Sequence, residues 1–210
     1  MNENSARGDK QRDWAEYYRK TGERPPRETL LAALDRFDAE PVPVAQRLAV
    51  DLGCGGGRDV VEMLRRGWRV LAVDAEKSSI EHLRGRADIG SDARLDTLVA
   101  RFEDADWPQA DLVNSSFALP LCLPERFDAV WARIVGSLKP GGRFAVQLYG
   151  PRDSWFGRTG MTFVDRARLD ALLAGLEVEM LDEEEDDSTT PRGEPKHWHI
   201  FHIVARKPAG

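Results

Sequence analysis

Asp51, Gly53, Gly55 and Gly57 occupy alternate positions behind the apolar pair Ala49-Val50, and Arg58-Asp59 follow at the head of a helical pattern. Glycines so spaced let the chain turn sharply and keep side chains from standing between backbone and ligand. The helix behind them offers free N–H groups at its positive end. The stretch reads as a nucleotide seat. Cys54, inside the turn, is explained by its small side chain and needs no thiol chemistry. Dinucleotide-binding turns carry Gly-x-Gly-x-x-Gly, with the last glycine where the helix packs on the strand. Gly53 and Gly55 satisfy the first two positions, but the third is Arg58. A nicotinamide oxidoreductase is therefore disfavoured, and saturable NAD binding would revive it.

Asp74 ends a second apolar run, Trp68 to Asp74, where an acidic residue accepts hydrogen bonds from ribose hydroxyls. Phe102-Glu103-Asp104-Ala105, Asn114-Ser115-Ser116-Phe117 and Lys139-Pro140-Gly141-Gly142 follow in that order. Together with Asp-x-Gly-x-Gly-x-Gly from Asp51 to Gly57, these landmarks resemble the class I (Rossmann-like) S-adenosylmethionine-dependent methyltransferases, over about Leu48 to Tyr149. The end of the chain is similar in layout to the compact tellurite-resistance and thiopurine-type small-molecule enzymes of that family.

The resemblance implies S-adenosylmethionine as cofactor and S-adenosylhomocysteine as product. It implies that the turn of Gly53, Cys54, Gly55 and Gly57 passes under the methionine part, that Asp51 meets its ammonium, and that Asp74 and Ala75 take the ribose. It places Glu103 and Asp104 at the adenine amino group, with Asp104 the preferred acceptor and Ala105 supplying a backbone N–H. Asn114 and Ser115 complete the cofactor set. Amino-group and DNA-base methyltransferases carry Asn/Asp-Pro-Pro-aromatic where this chain has Asn114-Ser115-Ser116-Phe117, without the prolines, so methylation of a nucleobase or an exocyclic amine is disfavoured. A sulfonium methyl is already a good electrophile, so alignment with the nucleophile and exclusion of water carry the reaction. No metal is required and no catalytic residue is identified. The function implied is methyl transfer to a small-molecule nucleophile of sulfur, oxygen or chalcogen type. The alternative is a non-catalytic S-adenosylmethionine-binding sensor or partner subunit.

The elements that must hold these residues alternate. Strands are expected over Arg47–Asp51, Trp68–Asp74, Leu95–Phe102, Ala110–Phe117 and Arg143–Tyr149, and helices over Arg58–Arg66, Ser78–Arg84 and Leu123–Leu138. Lys139 to Gly142 reads as the turn before the fifth strand. A helix over Asp165–Leu173 precedes strands over Leu176–Leu181 and His197–Ala205, joined by Asp182 to Lys196, acidic from Asp182 to Asp187, as a solvated hairpin loop. The fold class expected is α/β, a Rossmann-like three-layer sandwich whose seven-stranded, mostly parallel sheet ends in an antiparallel strand. Residues 1–40 form an N-terminal tail and helical lid, and 41–210 the methyltransferase domain. Within the first part, Asp13–Lys20 and Arg27–Phe37 read as helices, the second with Leu30, Leu31, Leu34 and Phe37 inward.

Substrate contacts are expected from Tyr18 and Arg19 in the first helix and from Trp155, Phe156 and Arg158 in the long loop after the fifth strand. His197, His199 and His202 invite a metal, but strand alternation puts His202 on the face opposite the other two, and a structural role is favoured. Cys54 and Cys122 are too far apart for a zinc knuckle or a disulfide framework. A net charge of −6 argues against nucleic acid as a partner. With no signal peptide or apolar span, the expectation is a cytoplasmic monomer or homodimer away from the membrane.

Overall fold

The computed structural model describes residues 24–91 and 93–209. The expected helix over Asp13–Lys20, with Tyr18 and Arg19, lies outside them. The elements run α1 (Glu28–Asp38), β1 (Leu48–Leu52), α2 (Arg58–Arg65), β2 (Arg69–Asp74), α3 (Lys77–Arg84), β3 (Leu95–Val99) and β4 (Ala110–Ser115). They continue with α4 (Pro124–Ser137), β5 (Leu138–Tyr149), α5 (Arg166–Leu172), β6 (Glu177–Thr189) and β7 (Pro195–Arg206). One seven-stranded sheet has the order β3-β2-β1-β4-β5-β7-β6. The first five strands pair in parallel, and β7 runs antiparallel to both β5 and β6.

β1 and β2 are short runs of Val, Ala and Leu because helices cover both faces of the sheet there, leaving no side for polar alternation. On one face Leu30, Ala33, Leu34 and Phe37 of α1 and Val60 and Met63 of α2 pack on Ala49, Val70, Leu112 and Ala145. On the other, Phe127, Trp131 and Ile134 of α4 and Leu169 of α5 pack on Val50, Val113, Phe144 and Phe201. The inward stripe of α1 is 30/33/34/37, so Leu31, expected inward, is only half-buried. The strand order reverses between β1 and β4, and in such sheets the crevice beyond the strands' carboxyl ends at that point takes the ligand.

Two expectations are corrected. Lys139 to Gly142 is a bulge inside β5, not a turn before it: Leu138 already pairs with Ala110, and Arg143 with Leu112. Gly141, at φ 77°, lets the chain pinch out there, and Lys139 Nζ donates to Asp111 at 2.8 Å. The acidic run is not a loop either. It is the middle of β6, paired with β7 from Glu177 to Thr189, and only residues 190–194 remain as the connection. Its carboxylates face basic side chains: Glu183 meets Arg152 and His199, Glu185 meets Arg152 and His197, and Glu184 meets His202. Charges along this edge also leave it a poor template for further strand pairing.

Candidate active site

A cleft of about 510 Å³ opens at the carboxyl ends of β1, β2 and β4. Of the residues expected to hold a cofactor, Asp51, Gly53, Cys54, Gly55, Asp74, Ala75 and Glu103 line it. The turn after β1 is possible only for glycine at its tightest points. Gly53 has φ 73°, and a Cβ there would lie 2.3 Å from the Ala118 Cβ. Its N–H and that of Cys54 donate to the Val73 carbonyl, at 2.8 and 3.0 Å, which fastens the turn to β2. Gly57 serves behind the cleft: it is the left-handed residue that starts α2, closed against Leu83, and does not line the cavity.

Asp74 holds the turn from below. Its Oδ2 accepts the Gly55 N–H and its Oδ1 the Glu76 N–H, both at 2.8 Å. Burial raises its carboxyl above the ordinary value, and these two donors oppose the rise. Asp51, 2% exposed, accepts from Asn114 Nδ2 at 2.8 Å. Burial and then the facing charge of Asp59 push the Asp51 carboxyl up to about 8. Burial, with Asp51 next, also holds the Cys54 thiol well above its usual range, so it is no nucleophile near neutral pH.

Four more expected contacts fall elsewhere. Asn114 and Ser115 stand behind the cleft: the first bridges Asp51 and Asp59, and the Ser115 hydroxyl donates to the Leu52 carbonyl at 3.1 Å, tying β4 to β1. Asp104 is exposed and paired with Arg126 at 3.3 Å. The Ala105 N–H is used within its own turn, donating to the Arg101 carbonyl at 2.8 Å. Glu103, also expected at the adenine amino group, is the carboxylate that lines the cleft. It is buried, accepts from Arg101 Nη2 at 2.8 Å through Oε1, and its Oε2 has no hydrogen-bond partner among the described residues.

The sequence reading missed Arg27, Asp59 and Phe117, which also line the cleft. Asp59 accepts from the Arg27 backbone N–H at 3.2 Å and from Arg58 Nε at 3.0 Å. Phe117 has φ 56°, unusual for a residue with a bulky side chain. Its N–H donates to Gln147 Oε1 at 3.2 Å, while Gln147 Nε2 donates to Thr29 Oγ1 at 2.6 Å, so α1 and β5 jointly hold the strain. The aromatic at the end of Asn114-Ser115-Ser116-Phe117 was the available signal.

Past Phe117 lies a second cavity of about 340 Å³, which shares Arg27, Phe117 and Leu121 with the first. Trp155 and Arg158 line it, as expected for substrate contacts, together with Tyr149, Trp198, Glu184 and His202. Phe156 does not: it is 60% exposed and leans on Phe163. His197 and His199 face away from this cavity toward acidic partners, and no group of three or more metal-ligating side chains occurs among the described residues.

Residues 49–142 match the family described as Methyltransferase domain. Over 97 residues the chain is 31% identical to carboxy-S-adenosyl-L-methionine synthase of Shewanella loihica, covering 44% of this chain and 40% of that protein. The chain spans at most half the length of the curated relatives it matches. TehB from Haemophilus influenzae superposes with a TM-score of 0.73 at 16% identity, over 91% of this chain and 65% of that one. A Burkholderia thailandensis 1,6-didemethyltoxoflavin-N1-methyltransferase, solved with that compound and S-adenosylhomocysteine bound, gives 0.61 at 20% identity, over 93% and 80%. The fold agrees over most of the chain and the sequence over its central part, where residues 49–142 match a methyltransferase domain.

Proposed function

We propose that the chain transfers a methyl group from S-adenosylmethionine to a small-molecule nucleophile. The observation that carries this reading is the pair of joined cavities, one floored by a glycine turn and carboxylates, the other walled by aromatic rings, meeting at Phe117. The first suits the cofactor on its own chemistry. Glu103 Oε2 is a buried acceptor in want of a donor, as an amino or hydroxyl group would supply. Each Asp74 oxygen keeps lone-pair capacity after its backbone bond, which suits ribose hydroxyls. Asp51 lies where the turn would carry an ammonium. When bound, the cofactor supplies a methyl carbon made electrophilic by the adjoining sulfonium. The chain's part is to orient the nucleophile at the Phe117 junction and keep water out.

The second cavity's size and ring lining favour a small molecule over a polymer, and the Burkholderia enzyme, named for a small heterocycle, supports the same class. With a net charge of −6, nucleic acid is not proposed as a partner. No helix among the described residues is long and apolar enough to cross a membrane. A cytoplasmic monomer or homodimer remains our proposal. So does the division at residue 40, with Arg24 and Arg27, just ahead of α1, bordering the second cavity. Calorimetric titration with S-adenosylhomocysteine, followed by assay of its release from S-adenosylmethionine over a substrate panel, tests the reading. No saturable binding would refute it.

Glu103→Ala is expected to weaken S-adenosylhomocysteine binding by roughly 10-fold, the size of one lost charge-assisted hydrogen bond. Asp104→Ala should leave it unchanged. Equal effects in the two variants would sink the assignment. Asp51 gives a pH signature. Its carboxyl, pushed up to about 8, is protonated at neutral pH, and a cation beside it favours the ionised form. Binding at pH 7 should therefore release a proton, and the release should fade above pH 8. Enthalpies measured in phosphate and in Tris should differ accordingly, and Asp51→Asn should make them coincide. The raised value also means that folding stability from this group is full below its ordinary 3.8 and declines as pH climbs to about 8.

A further inference from the structure

One histidine is placed differently from its neighbours. Alternation along β7 puts Trp198, Ile200 and His202 on the face that carries Tyr149 of β5 and Glu184 of β6, and all five line the second cavity. His202 stands at the end of that cavity nearest the cleft. Its ring is 6.3 Å from that of Phe117, the residue shared by both cavities, and its side chain is 17% exposed. Glu184 Oε2 lies 2.7 Å from His202 Nε2. A carboxylate accepts, so the ring proton sits on Nε2 and the lone pair on Nδ1. Nδ1 has no hydrogen-bond partner among the described residues.

The remaining walls select shape. Tyr149, Trp155 and Trp198 have ring centroids 5.9 to 6.1 Å apart. They are fixed around the Lys196 ammonium, which lies 4.1 Å from Trp155, 4.2 Å from Trp198 and 5.2 Å from Tyr149. Rings held this way present rigid aromatic edges and faces to an aromatic partner.

Resting on the methyl-transfer reading above, the geometry points to His202 as general base, oriented by Glu184, with a planar aromatic hydroxyl compound as substrate. An un-ionised aromatic hydroxyl is a weak nucleophile near neutral pH, which is the case where a base earns its place. His202 Nδ1 takes the hydroxyl proton while an oxygen lone pair forms the new bond to the methyl carbon, and the old carbon–sulfur pair stays on sulfur. Glu184 keeps the tautomer and steadies the imidazolium, the role a carboxylate plays behind a catalytic histidine.

The charged groups around the ring are Glu184, Asp182 and Asp186 of β6, Arg27 ahead of α1 and Arg158 of the loop after β5; β5 presents the neutral Gln147. A purely structural role would make His202–Glu184 one more strut between β6 and β7. That ladder already has His199–Glu183, His197–Asp187 and Arg206–Glu177, none of which lines the cavity.

The test uses 4-nitrophenol, whose phenolate is coloured, titrated into the full chain saturated with S-adenosylhomocysteine. At a pH below the probe's own pKa the bound fraction should gain phenolate absorbance, by proton transfer to His202. His202→Gln, whose amide keeps the bond to Glu184, should lose that gain, and Glu184→Gln should reduce it. Turnover of phenol with S-adenosylmethionine should fall roughly 10²- to 10⁴-fold in His202→Gln. The change should be smaller for 4-nitrophenol at alkaline pH, where no proton remains to be removed. His197→Gln, on the opposite face, should behave as the parent. If the parent fails to bind S-adenosylhomocysteine, the methyltransferase reading itself falls. If it binds but takes no 4-nitrophenol, or methylates thiophenol and not phenol, the aromatic hydroxyl class is overturned. If His202→Gln keeps both the absorbance gain and the phenol turnover, the base is overturned. Should His202→Gln not fold, the loss of absorbance in Glu184→Gln decides, and an undiminished gain refutes the pair.

Discussion

Replacing Asp74 with Asn is expected to weaken S-adenosylhomocysteine binding by about 100-fold or more while the folded chain melts within a few degrees of the parent. Asp74 has two duties on opposite sides of its carboxylate. Inward, Oδ2 and Oδ1 accept the N–H groups of Gly55 and Glu76, both at 2.8 Å, which sets the glycine turn and the exit from β2. Outward, the same oxygens line the cleft where ribose hydroxyls are proposed to donate. Asn has one acceptor oxygen, so its amide nitrogen must face one of those N–H donors. Hydrogen bonds to a charged group are worth about 1.5–3 kcal/mol each, and losing two accounts for a change of 100-fold or more. The fold itself loses less, because burial already disfavours the Asp74 charge and a neutral amide removes that penalty. Calorimetry and a thermal melt on the same sample check both halves. Affinity within about threefold of the parent would overturn the placement, and collapse of the melt would show that Asp74 serves the fold first.

How much of this was legible in the sequence depends on whether a residue's neighbours in the chain are also its neighbours in space. β1, β2 and the glycine turn are local: buried strands write themselves as unbroken apolar runs, and a left-handed turn as glycines. β6 is not. Asp182 to Asp187 has no apolar alternation, and its strand state rests on β7 and on Arg152, His197, His199 and His202, all supplied from other elements. Reading the run as solvated assigned water the role those basic side chains play. Glu103 and Asp104 show the same limit at single-residue scale. Both are carboxylates beside the expected position, and only the turn, in which the Asp104 and Ala105 N–H groups both donate to the Arg101 carbonyl, decides that Glu103 points inward. Asn114 and Ser115 were recognised as special but not in which direction they act: they brace Asp51 and β1 from behind. The positive φ of Phe117 is held by Gln147 from a strand later in the chain, and nothing local announces it.

Lys196→Met is expected to destabilise the chain by about 3–5 kcal/mol, the usual result of stripping one partner from a buried ion pair. The side chains of Lys196 and Asp153 are both 0% exposed and in direct contact. Asp153 also accepts the Trp155 N–H at 2.9 Å through Oδ1 and the His199 N–H at 3.4 Å through Oδ2, so it organises the loop after β5 as well as pairing with lysine. Burial lowers the Lys196 pKa and Asp153 works against that, which marks the pair as one that holds its charge only through its partner. Without the lysine, Asp153 is left as a buried carboxylate with no cationic partner, and the deficit should be read as a lower midpoint in urea unfolding. Replacing both residues, as Lys196→Met with Asp153→Leu, should recover part of the loss, because no charge stays buried, but not all, because the Trp155 and His199 N–H groups lose their acceptor. The same variants separate the two cavities. Trp155 and Trp198 are steadied by Lys196, whereas Asp74 and Glu103 are held by groups outside that loop. Binding of an aromatic probe should therefore weaken in Lys196→Met while S-adenosylhomocysteine affinity, measured on the folded fraction, stays unchanged. A parallel loss of both would mean that the loop after β5 carries the cofactor cleft too, and that the two cavities are one mechanical unit.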